Sequence, residues 1–303
     1  MLVYINGEIV PSGEAVVSVF DHGFLYGDGI YETMVSYDGV IFKLDEHLKR
    51  LYRSASLIGL TVPLEAELLK SALYETLLAN DLKNAYVRLT VSRGHGPIGL
   101  NPDLCPQPTI VIMAQALKQY PGTLYEKGVH IIISETRRNI KEAIDTRIKS
   151  MNFLNNILAK IEAINRDAYE AIMLNAHDHL TEGTISNIFF IKDTTLCTPS
   201  VACGILDGIT RGTVIDLAVR EDIKTEEGEF SKEDLYAATE VFITNTSLEV
   251  MPVSKVDETI YPVGDITKRL HKAYKQEVQT YLSRARAEGG ALWGKDLKDS
   301  FEC

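Results

Sequence analysis

Asp145-Thr146-Arg147-Ile148-Lys149-Ser150-Met151-Asn152-Phe153 is the stretch on which the reading of this chain turns. It places a lysine between a polar turn and an apolar helical pattern. That pattern runs from about Met151 to Asn165 and sets Leu154, Ile157, Leu158 and Ile161 on one side, expected to face inward. A lysine at such a junction can be aimed into a cleft, where desolvation lowers its pKa and makes it a nucleophile or base. Taken alone it reads as an ordinary surface lysine, so the surrounding sequence has to decide.

Downstream, His179-Leu180-Thr181-Glu182-Gly183-Thr184-Ile185-Ser186-Asn187 falls between expected strands at Ala171–Leu174 and Ile188–Lys192. A carboxylate at a strand end can meet a ring nitrogen in a cleft, although an exposed turn is the plainer alternative. Asp207-Gly208-Ile209-Thr210-Arg211-Gly212 leads into a helix over Thr213–Val219, so its glycines and first amides suit an anion. A simple helix cap is the alternative there. Upstream, a helix with Asp45 as N-cap carries Leu44, Leu48, Leu51, Ala55 and Ile58 on one stripe, with Arg50 at its margin. Arginine reads phosphate through its planar fork, but a solvated helix arginine is the ordinary case.

Two hairpins are expected at Asn6-Gly7 and Asp38-Gly39, because both dipeptides suit positive φ angles. A second helix starts near Pro63 with Leu64, Leu68, Ala72 and Leu73 inward, followed by strands at Tyr86–Val91 and Thr109–Met113. Gln119-Tyr120-Pro121-Gly122 breaks the pattern and marks a domain boundary. Beyond it come strands at Val129–Ser134 and Glu240–Thr244 and a long helix after Asp265. The expected organisation is an N-terminal domain over 1–118, a linker over 119–127, a C-terminal domain over 128–284 and a tail over 285–303 with weak periodicity.

Composition narrows the function. With 303 residues the chain suits one large domain or two modest ones, and 45% hydrophobic with 24% charged residues is a globular balance. A formal charge of -11 argues against nucleic-acid binding, so any anionic ligand must be gripped locally. No apolar run reaches the roughly 20 residues of a membrane span, and no signal peptide is evident. Cys105, Cys197, Cys203 and Cys303 have no metal-ligand spacing. Cys197 and Cys203 are near enough in sequence to pair, but free thiols of a reducing compartment are the preferred reading. His177 and His179 flank Asp178 in an expected turn and read as solvated. The expectation is a cytoplasmic protein without a metal. Neither G-x-G-x-x-G nor a P-loop lysine motif is present.

The order of these signals resembles the fold-type-IV pyridoxal-phosphate enzymes: branched-chain aminotransferases, D-amino acid aminotransferases and aminodeoxychorismate lyases. The resemblance runs from about Tyr4 to Leu282. Its carriers begin with Phe20-Asp21-His22-Gly23-Phe24-Leu25-Tyr26-Gly27-Asp28-Gly29-Ile30-Tyr31-Glu32, Glu46-His47-Leu48-Lys49-Arg50-Leu51 and Ile148-Lys149-Ser150. They continue with Glu182-Gly183, Asn187-Ile188-Phe189, Gly204-Ile205-Leu206-Asp207-Gly208-Ile209-Thr210-Arg211 and Glu240-Val241-Phe242-Ile243-Thr244-Asn245-Thr246. It implies a mixed α/β (α+β) fold of two domains: a small N-terminal α/β domain and a larger, barrel-like C-terminal one, with the cofactor between them and usually a homodimer.

Carried over by position, the resemblance implies that Lys149 binds pyridoxal 5'-phosphate covalently and shuttles a proton. Glu182 then keeps the ring nitrogen protonated; Arg50, the amides of Ile209 and Thr210, and Thr246 cup the phosphate; and Leu206 packs on the ring. Tyr86-Val87-Arg88 resembles a substrate-carboxylate segment of branched-chain enzymes. Gly99-Leu100-Asn101-Pro102 resembles their loop over the neighbouring subunit's pocket. Tyr31, Thr246 and Ser247 join Tyr86, Arg88 and Leu100 on the expected substrate side. The implied reaction is ping-pong transamination of a branched-chain L-amino acid with a keto acid such as 2-oxoglutarate. Arg93-Gly94-His95 superficially matches the Arg-x-His trap of D-amino acid enzymes but arrives several residues early. Phe153 stands where many branched-chain enzymes have a tyrosine. D-amino acid aminotransferase and aminodeoxychorismate lyase are the alternatives, and a non-catalytic carrier is disfavoured because Lys149 and Glu182 are both present.

Overall fold

Asn6-Gly7 and Asp38-Gly39 each take two consecutive left-handed conformations, with φ of 50° and 101° in the first and 47° and 83° in the second. That geometry matches the twist of flanking strands and closes both expected hairpins: β1 (Leu2–Ile5) with β2 (Glu8–Pro11), and β3 (Gly29–Tyr37) with β4 (Val40–Ile41). The computed structural model describes residues 1–287. It divides into one unit of Met1–Lys118, Ile148–Asn152 and the described residues from Val278, and a second of Gln119–Arg147 and Phe153–Glu277.

In the first unit, β5 (Ala85–Ser92) and β6 (Thr109–Ala116) complete an antiparallel sheet of order β2-β1-β6-β5-β3-β4. Besides the short α1 (His22–Tyr26), two helices, α2 (Leu44–Leu57) and α3 (Ala66–Ala79), cover one face. Leu44, Leu48, Leu51 and Ala55 of α2 are buried as their spacing requires. Each buried leucine contributes roughly 2 kcal/mol. Asp45 is not the N-cap: Lys43 holds that position with φ of 52°, and Asp45 and Glu46 occupy the first turn, where carboxylates suit the helix dipole. α3 starts at Ala66 and not at Pro63; Leu69, Ala72, Leu73, Thr76 and Leu77 line its buried side with Tyr74, and Leu68 lies outside that stripe and is exposed.

The second unit opens with α4 (Gly122–Lys127), so most of the expected linker is helical and packs on β14. The strands are β7 (Val129–Ile133), β8 (Glu170–Leu174), β9 (Leu180–Gly183), β10 (Asn187–Lys192), β11 (Thr195–Pro199), β12 (Thr225–Gly228), β13 (Glu240–Asn245), β14 (Glu249–Val256) and β15 (Thr259–Ile260). Pairing runs β10-β13-β14-β7-β8-β9 and returns to β10 where Asn187 faces Glu182, so six strands close a barrel. The far end of β10 carries β11 and β12 instead. The helices are α5 (Leu154–Asn165), α6 (Ile209–Arg220), α7 (Lys232–Tyr236) and, as far as Glu277, α8 (Asp265–Ala287).

The stripe assigned to α5 is turned the other way. Ala159 and Ala163 are buried against Ile132, Ala171 and Met173, while Leu154 is 70% exposed and Ile157, Leu158 and Ile161 are also exposed. Alanines let the helix sit close to the barrel, and the larger side chains are left outside. Cys105, Cys197 and Cys203 are buried free thiols. Residues 285–287 end α8, and the rest of the expected tail, with Cys303, lies outside the described residues. Among the described residues no helix is long and apolar enough to cross a membrane, and no three metal-ligating side chains are grouped.

Glycine is required at position 94, where φ is +98° and a Cβ would stand 1.8 Å from the Gln107 carbonyl oxygen. Gly94→Ala should lower the unfolding free energy by about 2 kcal/mol or more. Gly212→Ala, in α6 with open space around it, should raise it by about 0.5–1 kcal/mol. Urea unfolding measures both, and a Gly94→Ala midpoint at or above the parent's would remove the strain argument.

Candidate active site

Residues 148–152 run along the edge of β3 opposite β5. The Tyr31 amide donates to the Lys149 carbonyl at 3.0 Å, the Met151 amide donates to the Gly29 carbonyl at 2.9 Å, and Ile30 bridges Ser150. The Lys149 amide donates to Ser54 Oγ at 3.2 Å, so both backbone polar groups of the lysine are held. Its Nζ stands 4.5 Å from the centre of the Tyr31 ring.

Strand alternation sorts the neighbouring side chains. Register places Tyr31 opposite Thr90, Thr33 opposite Arg88 and Val35 opposite Tyr86, and cross-strand partners share a face. Arg88 Cζ lies 4.1 Å over the Tyr31 ring, and the Tyr86 and Thr33 hydroxyls are 3.3 Å apart. Three of the expected substrate residues, Tyr31, Tyr86 and Arg88, thus share one sheet face, and Tyr31 stands against the Lys149 amine.

Glu32 points to the other face and is fully buried. Arg50 Nε and Nη2 each donate to it at 2.7 Å, and His47 Nδ1 approaches at 2.8 Å. Burial by itself would raise the Glu32 carboxyl, but the Arg50 charge and the hydrogen bonds from Arg50 and His47 outweigh it and hold the group down at about 2. The stabilisation is therefore complete above about 4.5 and is lost only as pH falls towards about 2. Burial pushes His47 below the usual histidine range against the opposing pull of Glu32. Arg50, expected at a phosphate, directs Nε and Nη2 at this carboxylate.

In the second unit Glu182 ends β9 at the barrel seam and is buried. Its Oε1 accepts from Arg138 Nη2 at 2.8 Å; its Oε2 accepts from Asn187 Nδ2 at 3.2 Å and from the Leu206 amide at 3.0 Å. Behind it, Glu170 accepts from Thr184 Oγ1, Ser186 Oγ and the Ile185 amide, which fixes the turn between β9 and β10. Helix α6 starts at Gly208 without a side-chain cap, and Thr210 in its first turn is buried and bonded to the Tyr274 hydroxyl. A Cβ at Gly208 would come within 2.0 Å of Asn187 Oδ1. Thr246 and Ser247 lie in the turn after β13, where Asn245 Oδ1 accepts from the Ser247 amide and hydroxyl and from the Leu248 amide.

One expected residue, Leu100, stands apart, and so does Arg93, which the sequence reading sets aside. Leu100 is 82% exposed in the loop before β6. Arg93 is buried, with Nε and Nη2 on Asp28 and further bonds to the Gly59 and Ile58 carbonyls. It clamps the fold and has no part in a carboxylate trap. Sequence reasoning missed Arg138, Asn187 and Glu32 as partners of the site residues. Glu32 and Asn187 stood inside quoted motifs, whereas nothing distinguished Arg138 from Arg137 beside it.

Residues 29–256 match the family model for amino-transferase class IV. A Methanocaldococcus jannaschii protein assigned as a branched-chain-amino-acid aminotransferase is 43% identical over 91% of this chain and 96% of its own length. The aminodeoxychorismate lyase of Bacillus subtilis is 35% identical over 96% and 99%. A D-alanine aminotransferase of Staphylococcus epidermidis is 36% identical over 92% and 98%. In structure, the branched-chain amino acid aminotransferase of Escherichia coli matches with a TM-score of 0.88 and 31% identity, covering 91% of this chain and 93% of that one. The chain belongs to the class IV aminotransferases, enzymes that work with pyridoxal 5'-phosphate.

Proposed function

We propose that this enzyme moves the amino group of a branched-chain L-amino acid (Leu, Ile or Val) to a keto acid such as 2-oxoglutarate, with Lys149 as the catalytic residue. The observation that carries this reading is the Tyr31–Arg88 stack beside the Lys149 amine on a face that also holds Tyr86. A fixed guanidinium suits a substrate carboxylate, and the aromatic rings suit an aliphatic side chain. Arg93 lends the D-amino acid alternative no support, since every one of its nitrogens is already hydrogen bonded within the fold.

The residues present fit the cofactor. Glu182 is a buried carboxylate with three of about four acceptor positions filled, and α6 offers uncapped first-turn amides at a glycine. Lys149 would hold the aldehyde end; Arg50, the Ile209 and Thr210 amides and Thr246 the phosphate; Leu206 one ring face; and Glu182 the ring nitrogen. When bound, the cofactor supplies an electron sink for the bond broken at the substrate Cα. Lys149 Nζ takes the Cα proton and later returns it, so the lysine must be neutral when it acts. Tyr31, Tyr86, Arg88, Thr246 and Ser247 orient the substrate.

A homodimer or larger homo-oligomer is part of this proposal. The outward Leu154, Ile157, Leu158, Ile161 and Ile164 of α5 form an apolar face on one helix, the kind of surface that subunits cover. Leu100, exposed on its loop, is proposed to reach the partner's pocket. Buried free thiols accord with a cytoplasmic setting.

Mixing the holoenzyme separately with L-leucine and D-alanine tests the substrate reading. L-leucine alone should convert the bound cofactor to its amine form, seen by absorbance, and Lys149→Ala should abolish both covalent cofactor and conversion. Conversion by D-alanine alone would move the assignment, and conversion by neither would bring the lyase forward. Glu182→Gln should slow the L-leucine half-reaction by about 10²-fold or more in stopped flow; an unaltered rate would take Glu182 away from the ring. Ile161→Glu should weaken self-association at least about tenfold by sedimentation, and an unchanged dimer would place the interface elsewhere.

A further inference from the structure

We propose that Arg138 is a positioning residue of the cofactor site, holding Oε1 of Glu182 and setting by its charge how firmly the ring nitrogen keeps its proton. This rests on the reading that Glu182 meets that nitrogen. Three geometric facts carry it. Arg138 Nη2 donates to Glu182 Oε1 at 2.8 Å, and both side chains are about nine-tenths buried or more. Its Nη1 is tied to Asn155 Oδ1 and Asn156 Oδ1 at 3.2 Å each, and its amide donates to the Leu174 carbonyl at 2.9 Å, so the guanidinium is anchored from α5 and the backbone from β8. Its Nε is buried without a partner, a cost that a merely structural contact does not explain.

The acceptor count then locates the exchange. Glu182 Oε2 already takes two donors, Asn187 Nδ2 and the Leu206 amide, whereas Oε1 takes only Arg138. With about two acceptor positions per carboxylate oxygen, the open one is on Oε1. A ring N–H placed there would share one oxygen with a guanidinium, and a like charge that close disfavours the protonated ring. Asn187 cannot take over, since its amide hydrogens go to Glu182 and to the Leu206 carbonyl.

The other charged groups of the surrounding elements are engaged elsewhere. Glu170 serves Thr184 and Ser186; Glu162 on α5 accepts from Thr136 and the Glu135 amide; Arg137 pairs with Asp178. Asp207 follows Leu206 in the chain and has its own interaction. Among the described residues, the charge of Arg138 is the one paired directly with Glu182.

The test follows the ring nitrogen by ¹⁵N NMR in holoenzyme loaded with ring-¹⁵N pyridoxal phosphate, across pH, with cofactor affinity measured alongside. Arg138→Met should move loss of the ring proton up by about 1–3 pH units, and Arg138→Lys should stay near the parent. Arg138→Gln keeps a donor without the charge and should shift as Met does, which covers a Met variant that fails to fold. An unmoved or lowered titration in the neutral variants overturns the proposal, as does a Lys variant that shifts as far as they do. Glu182→Gln separates the underlying reading: if it leaves the ¹⁵N titration unchanged, Glu182 is not at the ring and both ideas fall. If only Glu182→Gln acts, the role of Arg138 alone is wrong.

Discussion

Closure of the barrel at Asn187 and Glu182 is the constraint on which the second unit's chemistry rests. The strand β10 divides its edge, giving its first residue to β9 and its last three to β11. The two residues that meet at the seam are polar, yet they sit where strand ends leave backbone groups to satisfy. Asn187 uses both amide hydrogens across the seam, and Glu182 receives the Leu206 amide as well. A carboxylate buried this way needs several donors to stay charged, and it has them. The same contacts carry the chain from β9 to the loop that precedes α6.

The first unit solves a different problem with the same means. Its nine-residue strand β3 alternates between an apolar side under α2 and α3 and a polar side with Tyr31 and Thr33. Glu32 interrupts the apolar side and is tolerated because Arg50 and His47 reach it from one turn of α2. Ser54, one turn beyond Arg50 on the same helix, holds the Lys149 amide. A single helix therefore supplies the buried ion cluster and fixes the backbone of the lysine.

Much of this was legible in order along the chain. Hairpin dipeptides, β-branched runs and the α2 stripe follow from local rules, since positive φ, strand alternation and helical period leave direct marks. Glu182, Lys149 and the Gly208–Thr210 loop stood in quoted motifs. The α5 stripe shows where local rules stop. Its period was right and its direction was not, because packing selected the small alanines at 159 and 163 for the barrel wall and left the larger side chains out. Arg93, set aside in the sequence as too early for a carboxylate trap, is a clamp, since two carbonyls and Asp28 lie within its reach only after folding.

By itself the sequence determined the mixed fold, the two early hairpins, the α2 stripe and the residue types that resemble a phosphorylated-aldehyde cofactor site, because period, turn chemistry and motif order are properties of neighbours in the chain. Only the tertiary structure decided which of two adjacent arginines meets Glu182. Arg137 and Arg138 are equivalent as sequence, yet one lies half exposed against Asp178 and the other is buried on Glu182. That choice depends on where the backbone after β7 is pinned to β8, through the Arg138 amide and the Leu174 carbonyl. Such a contact joins residues far apart in the chain, and no local pattern records it.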